Sequence, residues 1–208
     1  METNFKDQST ESSWYEEEPV SSKSDVNDEE KTASSRNSKI LNFDESEELL
    51  TYQKTLLNAA EKKSSDMILS KGLSYSLRLI YAIISTANKN IRMVLFDNDR
   101  ICLYYKQIID IVALAKSKGV VVQILTNVDL DAELENIYKG NIKEIPNQVY
   151  EQFQQNLPAF RSFITGDDCM YRLELALDNE PFSGLGCFYD PDMTSNFIKL
   201  FDNFYKKC

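Results

Sequence analysis

Two short apolar runs decide the fold of this chain: Ile91-Arg92-Met93-Val94-Leu95-Phe96 and Val120-Val121-Val122-Gln123-Ile124-Leu125. Each has the length and the β-branched content of a buried strand. The segment from about Cys102 to Lys118 between them has apolar residues at helical spacing, and Gly119 follows it as a helix terminator. Strand, helix and strand in this order predict a βαβ unit with two parallel strands in a covered sheet.

Two helices are predicted before this unit. The first begins near Asn42, where polar and acidic residues resemble an N-terminal cap, and runs to about Lys63. The second combines Met67–Leu69 with the strongly apolar stretch Ser74–Thr86, and Gly72 marks the joint between its two parts. Residues 43–72 are therefore predicted to be a helical extension that precedes an α/β domain at 73–208.

The C-terminal half of that domain is predicted to mix helices with antiparallel strands. A helix is expected at Asp129–Tyr138, and Gln148–Asn156 is either another helix or an irregular segment. The remaining elements are two strands, Phe160–Thr165 and Met170–Leu177, around a turn at 166–168, a weaker strand near Cys187-Phe188, and a helix at Asp192–Tyr205.

Residues 1–42 have the composition of a disordered acidic tail, because they are rich in Ser, Glu, Asp and Asn and poor in apolar residues. The first 48 residues hold fourteen acids and five bases, a net charge of -9, whereas the remaining 160 are near -1. Trp14 and Tyr15 stand beside three glutamates in this tail. They form either a short segment that docks on a partner or a chance aromatic pair in a solvated tail.

The chain contains no histidine, which excludes imidazole as base, acid or nucleophile. It also lacks a Gly-rich phosphate loop and a nucleophile elbow. Its four cysteines are scattered without a Cys-x-x-Cys pair, so we predict no structural metal, and no motif implies a cofactor. These absences predict that the protein is not an enzyme.

The start of the sequence has no basic and apolar signal region, and no stretch approaches the roughly 18 apolar residues of a membrane span. Cytoplasmic localisation, free thiols and no membrane partner are therefore expected. Neither part of the chain has a long basic run, so nucleic-acid binding is possible but not favoured.

Two charged clusters are candidates for a pocket or an interface. Asp97, Asp99 and Arg100 follow the first strand of the βαβ unit, where ligands of parallel sheets bind, although the aspartates could simply cap the next helix. The other cluster lies in the C-terminal hairpin and consists of Asp167, Asp168, Arg172 and Glu174. Arg172 and Glu174 are two residues apart and share one face of a strand, so they could equally be a structural charge pair.

From about Leu77 to its end, the chain resembles one half of a phospholipase D-like fold. The similarity rests on the order of elements and on the stretches Phe163–Asp168, Tyr171–Glu174 and Phe197–Phe204. Active members of that family carry a His-x-Lys-x4-Asp motif, in which one histidine attacks a phosphodiester and another protonates the leaving group. Just before Phe163, where that motif would start, this chain has Pro158-Ala159-Phe160-Arg161.

The resemblance implies an α/β domain with a mixed sheet flanked by helices, without the family's catalysis. Halves of this kind tend to pair, which implies a homodimer or a complex with another protein subunit. The first functional hypothesis is an inactive binding or regulatory protein whose acidic tail docks on or inhibits a partner. The alternatives are a nucleic-acid-binding or nucleic-acid-mimicking accessory factor, and a small-molecule sensor with its ligand near Asp97–Arg100 and Thr126-Asn127.

Overall fold

Apolar periodicity and turn chemistry fold the C-terminal four-fifths of this sequence into a layered α/β structure. The computed structural model describes residues 40–127, 131–177 and 181–208, apart from the side chains of Asp97, Asn98 and Asn156. The predictions for the tail up to Lys39, including those for Trp14 and Tyr15, lie outside these residues, as does the side chain of Asp97.

Six helices and seven strands are described, together with a 3-10 helix at Asp97–Tyr104. The helices are α1 (Glu47–Glu61), α2 (Leu73–Thr86), α3 (Lys106–Ser117), α4 (Ala132–Ile137), α5 (Asn147–Asn156) and α6 (Pro191–Tyr205). The strands are β1 (Ile68–Ser70), β2 (Asn90–Leu95), β3 (Val121–Thr126), β4 (Ile142–Glu144), β5 (Phe160–Gly166), β6 (Met170–Leu175) and β7 (Gly184–Cys187).

The strands form one mixed sheet in the order β1-β7-β6-β5-β2-β3-β4. Strands β2 and β3 are parallel, with Asn90 opposite Val121, which confirms the predicted βαβ unit. The hairpin of β5 and β6 is antiparallel, also as predicted, and β5 lies antiparallel to β2. The fold is therefore the predicted mixed α/β sheet.

Each face of the sheet has its own hydrophobic core, because successive side chains of a strand point to opposite faces. On β2, Met93 packs in the core that contains α1, α2 and α3, whereas Val94 packs in the core of α5 and α6. On β6, Leu173 packs on the face that α5 and α6 cover, which we call the α6 face. Its neighbours Arg172 and Glu174 therefore point to the opposite face, which α1, α2 and α3 cover and which we call the α2 face.

Three local predictions differ from the structure. Met67–Leu69 was predicted as helix, and this is wrong, because Ile68–Ser70 forms the edge strand β1 through backbone pairing with β7. Strand β4 was not predicted; it is equally short and pairs with β3. The helix expected from Cys102 begins only at Lys106, because the 3-10 helix continues to Tyr104 and Tyr105 is extended.

The N-terminal part of the described chain is tied to the sheet rather than separated from it. Leu41 forms a backbone bridge with Tyr105, and the buried ring of Phe43 lies under the Arg78 guanidinium. Residues Ser38–Cys208 belong to one compact unit, so 43–72, predicted as an extension, supply both α1 and β1. Within the described ranges, no helix is long and apolar enough to cross a membrane.

Candidate functional site

Three of the predicted site residues, Asp99, Arg172 and Glu174, come together where β2 ends and line one small cavity under α2. Arg172 and Glu174 lie on β6, and Asp99 lies in the 3-10 helix after β2. Asp168 does not join them, because it is exposed in the turn at the other end of the β5–β6 hairpin. Arg100 is half-buried in the 3-10 helix and does not line this cavity.

Arg172 and Glu174 form a buried ion pair, with side chains 4% and 1% exposed. Arg172 Nη2 donates to the Glu174 carboxylate and also to Ser76 Oγ, 2.8 Å away on α2. The Ser76 hydroxyl in turn donates to the carbonyl of Phe182. The ion pair thus connects β6, helix α2 and the segment that leads into β7.

Burial dominates the ionisation of Glu174. It raises the pKa of this carboxyl to about 7, the charge of Asp99 adds to the increase, and Arg172 opposes it. Among the described residues, Glu174 Oε1 and Arg172 Nε have no hydrogen-bond partner. The cavity beside them has about 10 Å³ of space, close to the minimum that a single water molecule needs.

Ser162 and Asp99 close the site from the β5 side. The Ser162 hydroxyl donates to Asp99 Oδ2 at 2.5 Å and accepts the backbone N–H of Phe96 at 3.0 Å. The pairing of β5 with β6 is irregular between Phe160 and Phe163, which is where Ser162 lies. Irregular pairing of this kind re-aims side chains, and sequence periodicity alone gives no signal for it.

Cys102 also lines the cavity, but as an inert group. Burial raises the pKa of its thiol to about 12, and the negative charge of Asp99 contributes to the increase. A thiol with this pKa remains protonated at neutral pH and is a poor nucleophile. Together, the groups at the strand ends can hold a polar cluster in place, but they include no activated nucleophile.

Asp167, which the sequence placed in a turn, has a specific structural role at the opposite end of the hairpin. Its carboxylate accepts backbone N–H groups from Asn88, Lys89 and Asn90 at 2.7–3.1 Å. Its backbone has a φ of 51°, a left-handed conformation that aspartate tolerates better than most residues. Asp167 therefore fixes the turn that leads from α2 into β2.

The small-molecule sensor hypothesis also placed Thr126 at its ligand site. Thr126 is fully buried at the end of β3, and its hydroxyl has no hydrogen-bond partner among the described residues. No group of three or more Cys, Asp or Glu side chains in the described ranges is arranged to hold a metal ion. The small-molecule sensor hypothesis remains a prediction.

Comparison with models of known protein families gives no match, and comparison with curated protein sequences gives none. Solved structures, in contrast, show a phospholipase D-like fold. Nuc from Salmonella typhimurium, a phospholipase D family member, superposes with a TM-score of 0.50 at 13% identity, over 68% of this chain and 95% of that chain.

Two further structures are similar. TrmBL2, an archaeal chromatin protein with a novel mode of DNA binding, gives a TM-score of 0.50 at 13% identity and covers 77% of this chain, but only 61% of its own chain is matched. NucT from Helicobacter pylori gives a TM-score of 0.46 at 15% identity, over 69% of this chain and 98% of its own. At these identities the likeness concerns the fold alone.

Proposed function

We propose that this chain is a catalytically inactive phospholipase D-like protein that acts by binding other proteins. In this proposal, the folded part associates with a second copy or with another protein subunit. The acidic N-terminal tail, with Trp14 and Tyr15, serves as a docking or inhibitory segment for a partner.

The observation that carries the proposal is the composition of strand β5. If Asp167 is taken as the aspartate of the family's His-x-Lys-x4-Asp motif, its histidine and lysine positions are Phe160 and Ser162. Phenylalanine can neither attack a phosphodiester nor protonate a leaving group. Ser162 is bound to Asp99 and to the Phe96 N–H, so its hydroxyl stabilises the fold.

The neighbouring strand supports the same conclusion. Beside Ser162, the α2 face of the sheet is filled by the buried ion pair of Arg172 and Glu174. The remaining cavity accommodates about one water molecule, which is too little for a phosphodiester. A strand end that lacks the family's catalytic side chains, and whose cavity holds about one water molecule, favours binding over turnover.

Hydrolysis assays test the inactive part of the proposal. We expect no hydrolysis of bis(p-nitrophenyl) phosphate, single-stranded DNA or phosphatidylcholine vesicles by the full chain above the buffer rate, with and without Mg²⁺. Glu174→Gln is the matched control, because it alters the strand-end cluster and retains the shape of the side chain. Hydrolysis by the full chain that is lost in Glu174→Gln would overturn the proposal.

Size and mass measurements test the association. We expect light scattering to give a mass above 24.0 kDa for the purified chain, or a defined complex when it is purified from its source. Removal of residues 1–42 separates the two parts of the proposal. Loss of the partner on removal of the tail assigns docking to the tail, whereas retention assigns it to the folded part.

A second candidate is an accessory factor that binds or mimics nucleic acid. The observation in its favour is the structural likeness to TrmBL2, which is a DNA-binding protein. The tail, whose residues 1–42 hold ten acids and five bases, could also occupy a basic groove of a nucleic-acid-binding partner. Mobility-shift assays over a range of salt concentrations decide between binding and mimicry, because phosphate contacts weaken steeply with salt.

A further inference from the structure

We propose that strand β1 pairs antiparallel with β1 of a second copy and joins the two sheets into one continuous sheet across a twofold axis. This inference rests on the proposed function, because it names the surface and the partner through which the folded part associates. It concerns the residues Asp66–Lys71, which we call the β1 edge.

The position of β1 leaves one of its sides available. It is the terminal strand of the sheet and pairs with β7 through Ile68–Gly186, Leu69–Leu185 and Ser70–Gly184. Among residues 40–127, 131–177 and 181–208, no strand lies on its other side. Backbone groups along such an edge are a template for pairing with another chain.

Two apolar side chains of the β1 edge are exposed, where a monomer gains nothing from them. Met67 is 63% exposed and Leu69 is 52% exposed. Leu69 points to the α6 face, because its neighbour Ile68 packs against the core on the α2 face. Leu69 lies opposite Leu185, which lies opposite the buried Leu173, so an apolar row runs from the core to the edge. Helix α6 packs on β2, β5 and β6, away from the outer end of this row.

Charge determines the direction of pairing. The uncharged run Met67–Ser70 is flanked by the acid Asp66 and the base Lys71, and both are exposed. Antiparallel pairing brings Asp66 of one strand to within one residue of Lys71 of the other, at both ends of the interface. Parallel pairing would place like charges side by side, which is unfavourable.

The twofold axis also determines the register. Residues opposite each other in a sheet point to the same face, so a symmetric pair is centred on one residue. Centred on Ile68, the pairing places Met67 opposite Leu69 of the second copy and forms a cluster of four apolar side chains. Centred on Leu69, it would place Met67 opposite Lys71, so the structure favours Ile68.

The first test is a charge placed in that cluster. Leu69→Lys brings two ammonium groups into the centre of the interface, and because Leu69 is exposed in the monomer the fold is retained. We expect light scattering from 1 to 200 µM to show a dimer for the unaltered chain and at least a tenfold weaker dimer for Leu69→Lys. Leu114→Lys on α3, where Leu114 is 46% exposed, is the matched control and is expected to remain dimeric.

The second test is a cross-link that depends on the register. Ile68→Cys places two cysteines opposite each other across the axis, where Cβ atoms are about 4.5–5.5 Å apart. In a Cys208→Ser background, which removes the exposed native thiol, we expect a covalent dimer under mild oxidation, and none from Ser65→Cys in that background or from Cys208→Ser alone.

The outcomes separate this inference from the proposed function. A dimer that survives Leu69→Lys and gives no Ile68→Cys cross-link overturns the β1 edge and leaves association through another surface. A monomer that still forms a complex with a different protein overturns self-pairing and leaves the proposed function. A monomer that captures no protein overturns both.

Discussion

The guanidinium of Arg172 donates to the Glu174 carboxylate on its own strand and to the Ser76 hydroxyl on helix α2. One buried side chain thus joins the sheet to the helix that covers it. This geometry makes the contribution of the ion pair to stability measurable.

The first prediction compares removal of one partner with replacement of both. Arg172→Ala leaves the carboxylate of Glu174 buried without a counter-charge and is expected to lower the free energy of unfolding by about 3–5 kcal/mol. The double variant R172M/E174L fills the same space with apolar groups and is expected to unfold within about 1 kcal/mol of the unaltered chain or above it. Urea unfolding of both variants measures this. Equal destabilisation would show that shape, and not charge, holds the site.

The second prediction concerns pH. Because burial raises the pKa of Glu174 to about 7 from its ordinary value of 4.5, the folded state favours the protonated carboxyl. The stabilisation of the folded state by protonated Glu174 is complete below about pH 4.5 and is lost as the pH rises through 7. We expect the free energy of unfolding to fall by on the order of 1–3 kcal/mol between pH 5 and pH 8.

Glu174→Gln cannot ionise at this position and is expected to flatten that part of the pH profile. The control is Glu151→Gln, at an exposed position of α5, and its profile should follow that of the unaltered chain. The same slope in Glu174→Gln would assign the pH dependence to other groups.

The third prediction distinguishes two adjacent aspartates. Asp167→Ala removes the acceptor of the Asn88, Lys89 and Asn90 N–H groups and places alanine at a positive φ. We expect it to lower the free energy of unfolding by about 2–3 kcal/mol. Asp168→Ala, at an exposed position, is expected to change it by less than about 0.5 kcal/mol. Thermal unfolding of the pair checks both values, and similar losses would contradict the role assigned to Asp167.

The fourth prediction uses the cysteines as reporters of the fold. Cys208 is exposed, Cys169 is half-buried, and Cys102 and Cys187 are buried. Alkylation of the native chain at pH 8, followed by peptide mass spectrometry, is expected to modify Cys208 first and Cys169 more slowly. Cys102 and Cys187 should react only after unfolding. Early reaction of Cys102 would show that the strand-end cavity opens in solution.

The sequence was sufficient where the signal is local. The β-branched runs at Ile91–Phe96 and Val120–Leu125 formed parallel strands, and the spacing of Arg172 and Glu174 correctly placed both on one face. Strand β1 was missed because Ile68–Ser70 has no periodicity of its own over three residues. Its conformation comes from pairing with Gly184–Gly186, more than a hundred residues away.

The burial of the site could not be predicted for the same reason. Ser76, Asp99 and Ser162 come from three separate elements, and nothing in the spacing of these residues indicates that they meet at β6. Asp99, predicted as a pocket residue or a cap, lines the small cavity and accepts a hydrogen bond from Ser162. The irregular pairing of β5, which positions Ser162, depends on the partner strand as much as on the sequence of β5.

Strand β7 carries glycine at 184, opposite Glu174 in the sheet. A Cβ at that position would lie 2.6 Å from the carbonyl of Leu173 and 3.0 Å from Arg172 Nη2. Because glycine has no side chain, the guanidinium of Arg172 can lie against the backbone of residue 184. A related chain with a larger residue at 184 therefore has to shift the backbone at 173 and move or replace the arginine at 172, and an alignment can look for changes at these positions together.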